Sequence, residues 1–236
     1  MSDQLSSEEW DLLWKGIREI HEWFPDGMVM IGGIAVWLHA RTVMDCAYID
    51  LSHDADFYLS MADYADLREL EAVTQNRRLG KCQIIKNGID FDIYVENQSD
   101  LVVPYSAIAA HSVVIDGIRC ACLGHLLALK YKAWQDRRSS SKGGKDLKDL
   151  ARILVVQGHL DAIAPDTLDY LPVGAIRDIR ATAATPAIFK QIALGNSFVA
   201  KQLQEKALYG VQQIEKASSM GEDAGESNQE RAPRPN

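Results

Sequence analysis

Apolar positions near the N-terminus recur at helical spacing. Trp10, Leu13, Trp14, Ile17 and Ile20 mark an amphipathic helix running to about Phe24. Ser6 with Glu9 three residues on has the spacing of a capping box, and Pro25-Asp26-Gly27 ends the pattern. Residues 28–31 are a continuous apolar run of strand length. After Gly32-Gly33, residues 34–41 read as a second helix that turns Ile34, Trp37 and Leu38 inward. Residues 42–52 show no clear period. Residues 54–59 alternate as a strand, and Ser60 then caps a helix burying Leu67 and Leu70. Two strand-like runs, 82–85 and 89–95, flank Asn87-Gly88, the strongest short signal for a hairpin. A second hairpin is predicted from 113–115 and 118–122 around Asp116-Gly117. Helices follow over 124–138 and 145–157, with a flexible break at 139–144. A helical stretch over 161–179 is interrupted near Pro165 and Pro172, and a last one runs from Pro186 to about Ile214 with a break at Gly195-Asn196. From Ala217 the apolar period is lost among Gly, Ser, Glu, Asn and Pro, which predicts a disordered tail. The pattern is α+β: a core with an N-terminal helix over 1–123, a helical region packing on it over 124–216, and a tail over 217–236.

Composition narrows the function classes. At 236 residues, 47% hydrophobic and 25% charged, the chain is in the ordinary globular range. A formal charge of −8 argues against a protein whose main task is coating nucleic acid, though it leaves room for a local basic patch. No apolar run is long enough to span a bilayer, so no membrane role is expected. Residues 1–9 are polar and acidic, unlike a signal peptide. Cys46, Cys82, Cys120 and Cys122 lack zinc-like spacing and read as reduced, mostly buried thiols of a cytoplasmic protein.

The candidate chemistry lies in three acids and a turn. On a strand, Asp54, Asp56 and Tyr58 share one face, and two carboxylates so placed can hold divalent cations. A Gly32-Gly33 turn between a strand and a helix lets backbone amides approach a phosphate. Asp90, Asp92 and Tyr94 share a face of the 89–95 strand. If that strand lies beside the Asp54 strand, Asp90 or Asp92 completes a three-carboxylate cluster able to hold two cations. The bland alternative makes Asp90 and Asp92 the wet face of a half-exposed strand. Basic residues crowd 130–148: Lys130, Lys132, Arg137, Arg138, Lys142, Lys145 and Lys148. They form either a solvated helix pair or a surface for triphosphate or nucleic acid. Lys130 sits among the leucines of its helix, where snorkelling or a phosphate contact would explain it.

Ile31-Gly32-Gly33, Asp54-Ala55-Asp56 and Ile89-Asp90-Phe91-Asp92-Ile93 occur in an order that resembles the DNA polymerase β-like nucleotidyltransferase superfamily. Leu126-Leu127-Ala128-Leu129-Lys130, Arg137 and Lys145-Asp146-Leu147-Lys148-Asp149-Leu150 resemble the helical end of its AbiEii-type toxins. The resemblance covers about 28–156 and implies a mixed sheet flanked by helices with a C-terminal helical region. It implies transfer of a nucleoside monophosphate from an NTP, such as ATP, to a hydroxyl of tRNA or of a protein. Toxin–antitoxin or phage-defence systems, with an antitoxin partner, are the setting it suggests. Gly32 and Gly33 would hold the triphosphate, and Asp54 and Asp56 two magnesium ions. Asp92, deeper in its strand than Asp90, would be the third carboxylate and the base for the acceptor hydroxyl. Lys130 would touch the nucleotide phosphates, and Asp146 matches the aspartate of the second helical motif. The 33–54 spacing is longer than in minimal members, which leaves Asp45 and Asp50 as alternatives for the metal pair. A non-catalytic nucleotide-binding module of the same fold, and a purely structural α+β protein, are the competing readings.

Overall fold

A computed structural model describes residues 6–76, 80–161, 163 and 166–229, with side chains of Ser141 and 220–229 excepted. Helix α1 (Ser7–Trp23) opens with the expected capping box: the Ser6 hydroxyl accepts from the Glu9 amide and the Glu9 carboxylate accepts from Ser6. Strand β1 (Val29–Ile31) leads directly into α2 (Gly32–Ala40), and a short 3-10 turn (Cys46–Tyr48) precedes β2 (Ala55–Leu59). Ser60 caps α3 (Met61–Leu70) through the Asp63 amide, as its position predicted. Strands β3 (Thr74–Asn76), β4 (Lys81–Lys86) and β5 (Ile89–Val95) follow, then α4 (Tyr105–Ala110), β6 (Val113–Ile115) and β7 (Ile118–Cys120). The helical end comprises α5 (Leu123–Arg137), α6 (Ser141–Gln157), α7 (Ala175–Ala183), α8 (Pro186–Ile192) and α9 (Ser197–Gln229).

Both hairpins form where the sequence placed them. Asn87 and Gly88 take φ of 55° and 78°, the paired positive values a two-residue turn needs to match strand twist. Asp116-Gly117 repeats the device. The strands make one mixed sheet in the order β3-β4-β5-β2-β1-β7-β6. At its centre β2 runs antiparallel to β1 and parallel to β5. The register sets Ile31 opposite Asp56 and Asp56 opposite Asp92. Because side chains alternate, Phe57 and Phe91 point to the other face, where their rings stack with centroids 5.8 Å apart. There α1 closes over them, with Gly16 against the tip of Phe91. Tyr64 of α3 reaches the same face and bonds Cys82 at 3.2 Å. No helix among the described residues is long and apolar enough to cross a membrane.

Several stretches differ from the sequence reading. The expected break at 139–144 is shorter, because Ser140 caps α6 through the Gly143 amide. Gly143 passes so close to the Arg137 carbonyl that a Cβ would overlap it, which allows the tight α5–α6 connection. Among the described residues of 161–179 only Ala175 onward is helical, after Pro172 and Gly174; the break expected near Pro165 lies outside the described residues. Strand β3 and helix α4 carry too few residues to show a period. Helix α9 continues from 217 to 229, into the stretch expected as a tail, although Ile214 is its last buried side chain among those described.

Gly16 and Gly144 make a paired test. A methyl at Gly16 meets a buried, stacked ring, whereas a methyl at Gly144 meets nothing within 4 Å. Overpacking costs about 1–3 kcal/mol, more than the up to ~1 kcal/mol Ala gains over Gly in a helix. Gly16→Ala should therefore lower the urea midpoint and Gly144→Ala should raise it. Equal shifts in one direction would contradict the α1–sheet contact.

Candidate active site

The centre of the sheet, the start of α2 and the facing sides of α5 and α6 enclose a cleft of ≈ 210 Å³. Its lining includes Gly32, Gly33, Asp54, Asp56, Asp92, Lys130 and Asp146. The residues that the resemblance assigns to the nucleotide and the metals thus meet in one place. Asp90, two residues before Asp92 on β5, is exposed and is not part of the lining. Asp45 caps the 3-10 turn through the Ala47 amide. Asp50 pairs with Lys148 and with Arg152 at 3.2 Å. Neither Asp45 nor Asp50 lines the cleft.

Gly32 is required twice over. Its φ of +69° lies in the left-handed region, and a Cβ there would overlap the Asp56 carboxyl. The bare backbone lets β1 turn into α2 directly beside that acid. Gly33 follows under the Ser52 hydroxyl, whose oxygen lies 2.8 Å from where a Cβ would stand.

Each carboxylate has its own partner. The Ser52 hydroxyl donates to Asp54 at 2.9 Å, and Lys145 donates to Ser52 at 3.1 Å. Burial pushes the Asp54 carboxyl up, but Ser52, Lys145 and Lys142 outweigh it and hold the group below its ordinary value. Asp92 is 4% exposed, paired with Lys81, and accepts from Gln83 Nε2 at 2.8 Å. Lys81 and Gln83 flank Asp92 because β4 pairs antiparallel with β5, Gln83 opposite Asp92. Asp56 has less help. Burial, then the neighbouring Asp54, drive its carboxyl up to about 7, with Asp92 adding to the rise and Lys130 and Lys81 opposing it. Lys130 and Lys81 do not offset this burial and these acidic neighbours. Three such oxygen donors suit a hard divalent cation.

The opposite wall is cationic and built from α5 and α6. Lys130, 8% exposed, lies 2.8 Å from Asp149 and 3.8 Å from Asp146. Burial would lower the Lys130 ammonium, but Asp149, Asp56 and Asp146 raise it above its ordinary value. Arg137 grips Asp146 with two bonds of 3.0 Å. Asp146 in this arrangement orients two cations. Asp149 also meets Arg152 at 3.2 Å. Arg152, 1% exposed, bonds the Tyr48 carbonyl at 3.3 Å and reaches Asp50. This buried chain of alternating charge ties α6 to the segment leading to Asp54.

Sequence reasoning passed over Lys81, Gln83, Ser52 and Arg152. The alternation of β4 offered one signal, since a hairpin register drawn from Asn87-Gly88 already sets Gln83 opposite Asp92. Ser52 and Arg152 meet partners 93 and 104 residues away, which no local pattern shows.

No protein-family profile and no curated protein sequence matches the chain. Among solved structures, JHP933 from Helicobacter pylori shares 15% identity and a TM-score of 0.53 over 94% of this chain and 100% of its own. A second Helicobacter pylori protein, described as a nucleotidyltransferase, shares 14% identity and a TM-score of 0.53 over 90% of this chain and 99% of its own. At these identities the likeness concerns the fold: the chain has the nucleotidyltransferase fold that its motifs resemble.

The raised Asp56 carboxyl has a measurable consequence. Unfolded, it titrates near about 4; native, near about 7, so between these values the native state binds more protons. Without a divalent cation, stability should fall as pH rises from about 4 to about 7 through this group and then level off. Asp56→Asn should remove that component, and a divalent cation that binds these acids should bind more tightly as pH rises toward about 7, displacing a proton. Urea midpoints with chelator or magnesium across this range check it. Parallel pH profiles for both proteins would count against the assignment.

Proposed function

We propose that the cleft is the active site of a magnesium-dependent nucleotidyltransferase that moves a nucleoside monophosphate from an NTP to a hydroxyl acceptor. The observation that carries this reading is the row of acids on neighbouring strands, beside a glycine turn and facing a cationic wall. In this reading Asp54, Asp56 and Asp92 hold two magnesium ions, which when bound would neutralise the triphosphate and polarise the phosphorus under attack. Gly32 and Gly33 present backbone amides to the phosphates. Lys130, Arg137, Lys142 and Lys145 bind the triphosphate and steady the charge that gathers on departing pyrophosphate. The acceptor oxygen forms its bond to the α-phosphorus as the bond to pyrophosphate breaks. Its proton passes to the Asp92 carboxylate, which Lys81 must first release.

A wider groove adjoins the cleft and shares Asp54, Lys142 and Lys145 with it. Trp10, Trp37 and Lys148 also line it. Three lysines along this groove suit a polyanion, so an RNA such as tRNA is the acceptor this surface favours over a protein side chain. The proposed setting is a cytoplasmic toxin–antitoxin or phage-defence system of the AbiEii type, with ATP among the candidate nucleotides.

The Lys81–Asp92 pair favours a second reading, a nucleotide-binding module without catalysis, because an ammonium already satisfies the third acid. Calorimetry separates the two: catalysis requires NTP binding that depends on magnesium, and the module binds without it.

The direct test mixes purified protein with each labelled NTP, magnesium and cellular RNA or lysate. Label should enter a macromolecular acceptor, and Asp54→Asn with Asp56→Asn should cut the rate at least about 10²-fold, the scale for losing transition-state charge stabilisation. Transfer that survives the double substitution would overturn the assignment of these acids.

A further inference from the structure

A second cluster of donors lies at the start of α5, and none of its members lines the cleft. Cys122 is the residue before the helix, His125 lies in its first turn, and Asp166 comes from the segment before α7. One donor atom from each lies within 4.8 Å of the others. We propose that Cys122, His125 and Asp166 form a zinc site, with water, or His111 at the end of α4 once its ring turns inward, as the fourth ligand.

The pocket is polar, buried and incompletely satisfied. His125 is 0% exposed, and its Nε2 lies 2.8 Å from Asp166 Oδ2. Its Nδ1 has no hydrogen-bond partner, nor has Asp166 Oδ1. Orphaned polar atoms in a buried place require an explanation, and an ion is one. His111 Nε2 stands 3.7 Å from the same Asp166 oxygen, and its ring lies 5.9 Å from that of His125. Burial, with the Asp166 charge, holds the Cys122 thiol above its ordinary value against the opposing amides of His125 and Gly124.

The donor set selects the metal. Sulfur, imidazole and a single carboxylate are ligands zinc takes, at about 2.0–2.3 Å. Magnesium and calcium take oxygen and would leave the sulfur unused. Cys122, His125 and Asp166 give zinc three protein donors, and water or the half-exposed His111 completes four. Bound there, the ion would fasten the start of α5 to the ends of two other segments. Lys130 lies further along the same helix, so the site would steady the cleft wall without touching nucleotide. The inference is independent of the nucleotidyl-transfer reading.

The test uses the full-length protein. Metal-free protein is titrated with zinc against a chromophoric chelator, and cobalt is added in parallel. The expected result is about one zinc per chain, a thiolate-to-cobalt charge-transfer band, and affinity at least about tenfold weaker in Cys122→Ser and Asp166→Asn. Asp54→Asn with Asp56→Asn should bind zinc as the unaltered protein does. Failure of zinc to compete with the chelator, or equal affinity in folded Cys122→Ser and Asp166→Asn, overturns the site. Should neither variant fold, absence of the thiolate–cobalt band in the unaltered protein does so instead.

Discussion

Placing Asp56 directly opposite Asp92 is electrostatically expensive, and much of the surrounding structure follows from containing that cost. Parallel pairing of β2 with β5 fixes the two acids in one row, and Asp54 extends the same negative edge. Burial first, and then the charge of Asp54 and Asp92, push the Asp56 carboxyl up to about 7. Lys81 reaches Asp92 from the neighbouring strand, Lys145 reaches Asp54 through Ser52, and Lys130 faces Asp56 from α5. What these side chains leave unbalanced, a divalent cation would balance. Gly32 completes the arrangement, because any larger residue would expel the Asp56 carboxyl from its place.

The cationic wall needs equal support. Lys130 and Arg152 are charged groups in nearly dry surroundings, and an unpaired buried charge typically costs about 3–5 kcal/mol. Asp146 and Asp149, one turn apart on α6, pair with both and with Arg137. The same network reaches the Tyr48 carbonyl and Asp50, so α6 is tied to the approach to Asp54. On the proposed reading the cleft holds phosphate in a fixed place and benefits from such a frame, since positioning accounts for much of the rate in phosphoryl chemistry.

Much of the fold was legible because its signals are local. The capping box at Ser6, the Asn87-Gly88 and Asp116-Gly117 turns and the leucine period of α5 each depend on neighbours a few residues away. The residues picked for chemistry share a cleft because two short motifs lie on adjacent strands and a third begins the next helix. What stayed hidden is non-local. Cys122 read as one of two alternating strand thiols, yet β7 ends at Cys120 and Cys122 starts a helix. Its partner His125 is one turn on, and Asp166 lies 41 residues beyond that histidine, outside any spacing a motif would register. Lys81 likewise acquires meaning only once the hairpin sets its strand beside Asp92.

The central claim is that Asp54, Asp56 and Asp92 together form a seat for divalent cations beside the Gly32 turn. A crystal grown with manganese and a non-hydrolysable NTP tests it most directly, because anomalous scattering locates the metal independently of the surrounding chain. The account predicts manganese between these three carboxylates, Lys81 withdrawn from Asp92, and the phosphates against Gly32 and Lys130. Manganese bound elsewhere, or nucleotide held with Lys81 still on Asp92 and no metal among the acids, would contradict it.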